Sequence, residues 1–223
     1  MKIAAIITSA GRGVRFSPKA NKLFHKIDGK FILQYTVDAF TANSKISEIV
    51  VTYAPKDLPL VNQLDFGEKP YQLVEGGATR TVSVLNGLKA LATDTDYVLI
   101  HDGARPFVTQ KLLSDCIAVV KKNKSAVCAT PLHDTLKLVA GNQTVGNLSR
   151  DQIFAVQTPQ GFAYDRIMQA YSEFGGYSYT DDSTVYSEKF GSAVIFPGSK
   201  RNVKITTRED LMYFDLFLSK EKK

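Results

Sequence analysis

The sequence predicts an α/β fold, a mostly parallel sheet with helices on both faces, and three observations predict it. Short runs rich in Val, Ile or Tyr recur at Ile3–Thr8, Glu48–Tyr53, Tyr71–Val74, Tyr97–His101 and Ala126–Pro131, several bounded by turn residues, and these read as strands. Between them lie longer stretches, Phe31–Phe40, Arg80–Leu91 and Thr109–Lys122. In the second, Val84, Leu85, Leu88 and Leu91 fall at helical spacing, as do Leu112, Leu113, Ile117 and Val120 in the third. From residue 133 to about 157 this alternation breaks. Strand–helix alternation implies a parallel sheet covered on both sides, a three-layer, Rossmann-like arrangement. Its ligands bind beyond the carboxyl ends of the strands.

The first strand follows Met1 directly. Glycines and charges come too soon after it for a signal peptide. In the irregular stretch, Asp134 to Val139 alternate, Gly141-Asn142-Gln143 reads as a hairpin turn, and Ile153 to Val156 resumes an extended run. This predicts a β-arm over about 133–157 projecting from a single domain, 1–223. A two-stranded arm is marginal alone, so a second copy of the chain is the expected support. Tyr164–Phe174 reads as a helix, Ala193–Phe196 and Asn202–Ile205 as strands, and Thr207 to Leu218 as a closing helix. Thr207 is its expected N-cap and Asp210 a first-turn acid.

Composition narrows the class without selecting a function. A chain of 223 residues, 44% hydrophobic, buries a full core. It holds no run near the roughly 18 apolar residues that span a bilayer. Cys116 and Cys128 form neither a disulfide framework nor a metal-ligand spacing, so a reduced, cytoplasmic protein is expected. The net charge of +6 suits an anionic partner, whether nucleic acid, membrane or phosphorylated metabolite. Lys121, Lys122 and Lys124 fit equally well as cations at a helix end, and Lys220, Lys222 and Lys223 as a solvated tail.

The densest chemical signal follows the first strand: Ala10-Gly11-Arg12-Gly13-Val14-Arg15, then Pro18, Lys19 and Lys22. Glycines just past a buried strand bring backbone N–H groups close to a ligand. Arg15 and Lys22 beside them can neutralise a polyphosphate. Phe16 stands where a dinucleotide-binding fingerprint needs its third glycine, and no Gly-Lys-Ser/Thr completes a P-loop. A glycine turn with solvated basic residues is the plain alternative.

With Gly76-Gly77-x-x-Arg80-x-x-Ser83-Val84, His101-Asp102-Gly103-Ala104-Arg105-Pro106, Pro131-x-x-Asp134-Thr135-x-Lys137, Arg150, Gln157-Thr158-Pro159-Gln160-x-Phe162, Thr180-Asp181-Asp182 and Asn202-Val203-Lys204-Ile205-Thr206, this loop resembles the 2-C-methyl-D-erythritol 4-phosphate cytidylyltransferase family across nearly the whole chain. The resemblance implies attack of a polyol phosphate on the α-phosphorus of CTP. It makes Arg15, Lys22 and Lys204 catalytic, and Ala10, Gly11, Gly13, Gly76, Gly77 and Ser83 the nucleotide pocket. Thr180 and Lys204, with Asp102, would meet the polyol phosphate, and Arg150 would reach a neighbouring subunit's site in a homodimer. Beside a triphosphate, Asp102 would carry Mg²⁺; alone it reads as readily as a turn or cap residue. Arg105 reads as an ion-pair partner and His101 as a packing or hydrogen-bonding residue.

The chain departs from the family pattern at three places. Asn21-Lys22-Leu23-Phe24 replaces Pro-Lys-Gln-Phe/Tyr, which leaves Lys19, after Pro18, as a second candidate, though the spacing from Arg15 favours Lys22. Ala78 stands where Asp is common, and Phe31 where Pro is usual. Ribitol 5-phosphate cytidylyltransferases share much of the pattern, but Ala104 before Arg105 leans away from them. A non-catalytic nucleotide-binding module would have eroded Arg15, Lys22, Asp102 or Lys204, and all four are present. Nucleic-acid and membrane partners are not expected, since no basic stripe interleaves with exposed aromatics.

Overall fold

A computed structural model describes residues 1–11, 21–173, 175–176 and 178–218. Its main sheet has seven strands. These are β1 (Ile3–Thr8), β4 (Glu48–Tyr53), β5 (Tyr71–Glu75), β6 (Tyr97–Asp102), β7 (Ser125–Pro131), β10 (Phe154–Ala163) and β11 (Ile195–Pro197), in the order β11-β7-β10-β6-β1-β4-β5. β1 pairs parallel with β4 and β6, β4 with β5, and β7 with β11. β10 runs antiparallel between β6 and β7.

Alternation along β1 shows why the sheet needs cover on both faces. Ile3, Ala5 and Ile7 pack with α1 (Ile32–Thr41), α4 (Gln110–Asn123) and Phe214 of α7 (Met212–Leu218). Ala4 and Ile6 pack with α3 (Arg80–Ala90), α5 (Tyr164–Ser172) and α6 (Asp182–Phe190). Residues of opposite parity enter opposite layers, so the strand is apolar throughout. The helices at Phe31–Phe40, Arg80–Leu91, Thr109–Lys122 and Tyr164–Phe174 form within two residues of expectation. A short α2 (Leu58–Val61) follows a 3-10 turn at Pro55–Asp57. β2 (Lys26–Ile27) and β3 (Lys30–Phe31) form a hairpin around Asp28-Gly29, whose φ angles of 49° and 79° suit a two-residue turn with both centres left-handed.

Three expectations are corrected, and one helix is added. Asn202–Ile205 is not a strand: one backbone bond, Ile205 N–H to the Ala104 carbonyl at 2.8 Å, ties it to the body, and side chains do the rest. Thr207 does not cap the last helix. Instead the Asp210 carboxylate accepts from the N–H groups of Thr206 and Thr207 at 2.6 and 2.9 Å, a 3-10 turn spans Glu209–Leu211, and α7 starts at Met212. The run Ile153–Val156 does not belong to the arm, because Phe154–Val156 pair with β7 in the main sheet. β10 continues through Pro159, which a central strand tolerates at a bulge, and the register shifts between Val156 and Gln160. Finally, α6 went unforeseen.

The arm itself is β8 (Leu136–Ala140) and β9 (Gln143–Leu148), a separate antiparallel pair turning at Gly141-Asn142. Leu138, Val139, Val145 and Leu148 are exposed on it. No described helix is long and apolar enough to cross a membrane.

Candidate active site

The loops leaving β1, β5 and β6 converge at the carboxyl edge of the sheet, beside the point where antiparallel β10 interrupts the parallel strands. One wall is packed without charge. A Cβ on Gly76 would stand 2.4 Å from the Ala10 Cβ and 3.3 Å from the Tyr53 carbonyl oxygen; one on Gly77 would stand 2.1 Å from Val82. Only glycine lets this loop lie so close to the end of β1. The Gly77 N–H donates to the Ser83 hydroxyl at 3.0 Å, and that hydroxyl donates to the Thr79 carbonyl at 2.9 Å. Thr79 caps α3, accepting from the Val82 N–H. Ala10, Gly76, Gly77 and Ser83, expected to form the nucleotide pocket, are thus brought together. Gly11 follows Ala10 and is exposed.

The other wall is ionic. Asp102 ends β6, its N–H donating to the Thr158 hydroxyl at 3.0 Å. Its carboxylate meets Lys204 Nζ at 2.8 Å, Arg80 Nε at 3.4 Å and Arg105 Nε at 3.6 Å. Burial alone would raise the Asp102 pKa; Arg80, then Lys204 and Arg105, overcome it and hold the carboxyl well below the usual range. Arg80 grips fully buried Asp182 through both oxygens, at 2.8 and 2.7 Å, and the Tyr171 hydroxyl donates to Asp182 at 2.6 Å. Burial works against the Arg80 charge, but Asp182 and then Asp102 raise its pKa. Arg105 also donates to the Asn202 carbonyl at 2.8 Å, and the Asn202 amide donates to the Thr158 carbonyl at 2.7 Å. Side chains, rather than a strand ladder, therefore carry Lys204 to the cleft.

Beneath this wall lies His101, fully buried and 5.0 Å from the Phe40 ring. Its Nε2 donates to the Arg105 carbonyl at 3.1 Å; a carbonyl only accepts, so the proton sits on Nε2. Burial pushes its pKa down to about 4. His101 thus both packs and hydrogen-bonds, the two roles expected of it, and its bond supports the Arg105 turn.

Arg80, Asp102, Arg105, Thr158, Thr180 and Lys204 line one open cleft. Lys22 opens a 3-10 turn at Lys22–Phe24. Arg15, Gly13 and Lys19 lie outside the described residues. Arg150 is not in the cleft lining: it stands at the foot of the arm, donating to the His133 carbonyl at 2.9 Å. Sequence reasoning gave no role to Thr158, nor to the Arg80–Asp182 clamp. A signal existed for α6: Asp181 accepts from the Thr184 N–H as an N-cap, with Val185 and Tyr186 at core spacing behind it. A separate depression lined by Thr41, Phe66 and Lys69 lies at the other ends of β4 and β5, where Lys69 is engaged by the Asn43 and Ile46 carbonyls.

Asp102 does not fit as a resident Mg²⁺ ligand. Three cationic side chains already surround its oxygens and stand where a metal ion would have to approach.

A family model described as 2-C-methyl-D-erythritol 4-phosphate cytidylyltransferase matches residues 3–220. The enzyme of that name from Bacillus thuringiensis is 38% identical over 224 residues, covering 98% of each chain. Its namesake from Clostridioides difficile is 37% identical, covering 99% of this chain and 95% of its own. Among solved structures, 4-diphosphocytidyl-2C-methyl-D-erythritol synthase from Anaerococcus prevotii superposes with a TM-score of 0.86 at 30% identity, over 98% of this chain and 96% of that one. The 2-C-methyl-D-erythritol 4-phosphate cytidylyltransferase of Francisella tularensis gives 0.83 at 28%, over 97% and 99%.

Proposed function

The chain belongs to the 2-C-methyl-D-erythritol 4-phosphate cytidylyltransferase family, and from that membership we propose that it transfers the cytidylyl group of CTP to 2-C-methyl-D-erythritol 4-phosphate, a step of non-mevalonate isoprenoid precursor synthesis. A phosphate oxygen of the polyol phosphate attacks the α-phosphorus of CTP. A new P–O bond forms, the bond to the bridging oxygen breaks, and pyrophosphate leaves with the electron pair. Such transfer needs positioning and charge compensation more than covalent help. The observation that carries the reading is the Lys204–Asp102 pair, 2.8 Å apart, facing the cleft in which Thr180 and Arg105 also stand.

In this reading Ala10, Gly11, Gly13, Gly76, Gly77 and Ser83 seat the nucleotide. Arg15 and Lys22 compensate the triphosphate and the departing pyrophosphate. Lys204, Thr180 and Arg105 receive the incoming phosphate, with Asp102 holding Lys204 and Arg105 in place. Mg²⁺ enters as part of the nucleotide substrate, bound mainly by phosphates and water. The exposed apolar side chains of β8 and β9 support a homodimer in which Arg150 serves the neighbouring site; a monomer by sedimentation at micromolar concentration would remove that part. Two buried free cysteines agree with a cytoplasmic setting.

Pyrophosphate release measured with CTP and a panel of phosphorylated polyols tests the proposal. Methylerythritol phosphate is expected to turn over fastest, and faster turnover of ribitol 5-phosphate would overturn the assignment.

A further inference from the structure

One buried polar cluster lies outside the cleft, at the base of the phosphate loop. Asn21, which immediately precedes Lys22, is only 5% exposed, and Asp57, after β4, only 6%. The Asn21 side-chain oxygen accepts from the Leu23 N–H at 3.2 Å, capping the turn that Lys22 opens. Its amide nitrogen donates to the Ser9 carbonyl at 3.2 Å and to Asp57 Oδ2 at 2.8 Å. Ser9 is itself fastened to the Thr52 carbonyl, by its N–H at 2.8 Å and its hydroxyl at 2.6 Å. One amide therefore joins the exit of the loop to its entrance, and both to the end of β4.

An amide and a carboxylate are expensive to bury without hydrogen-bond partners. A surface loop could end in a solvated turn with no such cluster. What the cluster supplies is a fixed origin for Lys22. Charge compensation works when the cation is placed before the phosphates arrive. A misplacement of about 1 Å costs on the order of a hundredfold in rate.

We propose that Asn21 and Asp57 are positioning residues for the transfer step: the Asn21 amide pins the two ends of the phosphate loop together, Asp57 holds that amide, and Lys22 stands where this pair puts it. The inference rests on the reading of Lys22 as a phosphate-loop lysine.

The test compares full-length N21A, D57A, D57N and K22A with the parent, by pyrophosphate release at varied CTP and varied 2-C-methyl-D-erythritol 4-phosphate and by thermal unfolding. N21A and D57A are expected to lose about tenfold to a hundredfold in kcat, with KM for the polyol phosphate moving less than about threefold. D57N, whose side-chain oxygen can still accept from Asn21, should recover at least about fivefold over D57A. A kcat for N21A within about twofold of the parent would overturn the proposal, and so would equal kcat for D57A and D57N. Should N21A fail to fold, the Asp57 pair decides alone. An active K22A would sink the reading of Lys22 itself; a dead K22A beside an unimpaired N21A would sink only this inference.

Discussion

The wall formed by Ala10, Gly76, Gly77 and Ser83 contains no ionisable side chain, whereas the wall formed by Arg80, Asp102, Arg105 and Lys204 consists of nothing else. The first is set by steric contact, with the Gly76 loop pressed against Ala10 and no room for a methyl group. The second is set by charge, with one carboxylate holding three cations and a second carboxylate, Asp182, anchoring the first of them. A packed backbone wall can read the edge of a base through fixed N–H and C=O groups. A wall of clustered cations can draw in a phosphate, since its three positive charges exceed the negative charges of the two carboxylates, Asp102 and Asp182, that hold them. The two should respond differently to substitution.

The largest effect is expected on the ionic wall. Asp102→Ala leaves three cations without their common partner and should cost about 3–5 kcal/mol of stability, read by chemical denaturation, together with turnover; a stability unchanged within error would mean that the carboxylate is dispensable. Next comes pH. Because burial lowers the His101 pKa from 6.5 to about 4, the unfolded chain takes up a proton that the folded chain refuses. Stability should be flat above pH 6.5 and fall as pH drops towards 4, by about 3 kcal/mol in all. His101→Gln should remove that part of the slope, and a variant with the parent's slope would contradict the assignment. Lys204→Ala, at a partly exposed site, should lower kcat/KM for the polyol phosphate about 30-fold, or about 2 kcal/mol, while moving KM for CTP less than about twofold. Gly76→Ala should do the reverse: its methyl group must displace Ala10, and KM for CTP should rise about tenfold, with the polyol phosphate constant unchanged. If each variant moved both constants equally, the separation of the walls would be lost.

Legibility followed the same division. Ile3–Thr8 and Glu48–Tyr53 were readable to the residue because strands buried on both faces are uninterrupted apolar runs, and α4 because its apolar residues keep a period near 3.6. Pro159 and Gly161 concealed the second half of β10, since both break a strand pattern unless a bulge accommodates them. Asn202–Ile205 looked like a strand from its alternating residues, but a single backbone bond, from Ile205 to Ala104, is too little for a ladder.

The glycines after β1 and β5 and Asp102 at the end of β6 were visible as residue types at strand ends, and family resemblance marked them, together with Thr180 and Lys204, as a site. Sequence alone determined these things because periodicity, turn chemistry and local motifs act over a few residues. Only the tertiary structure decided that Arg80 would link Asp102 to Asp182, that Asn21 would meet Asp57, and that β10 would enter the sheet antiparallel beside β6. Such contacts join residues far apart in the chain. They depend on which strand lies next to which, and no local pattern encodes that order.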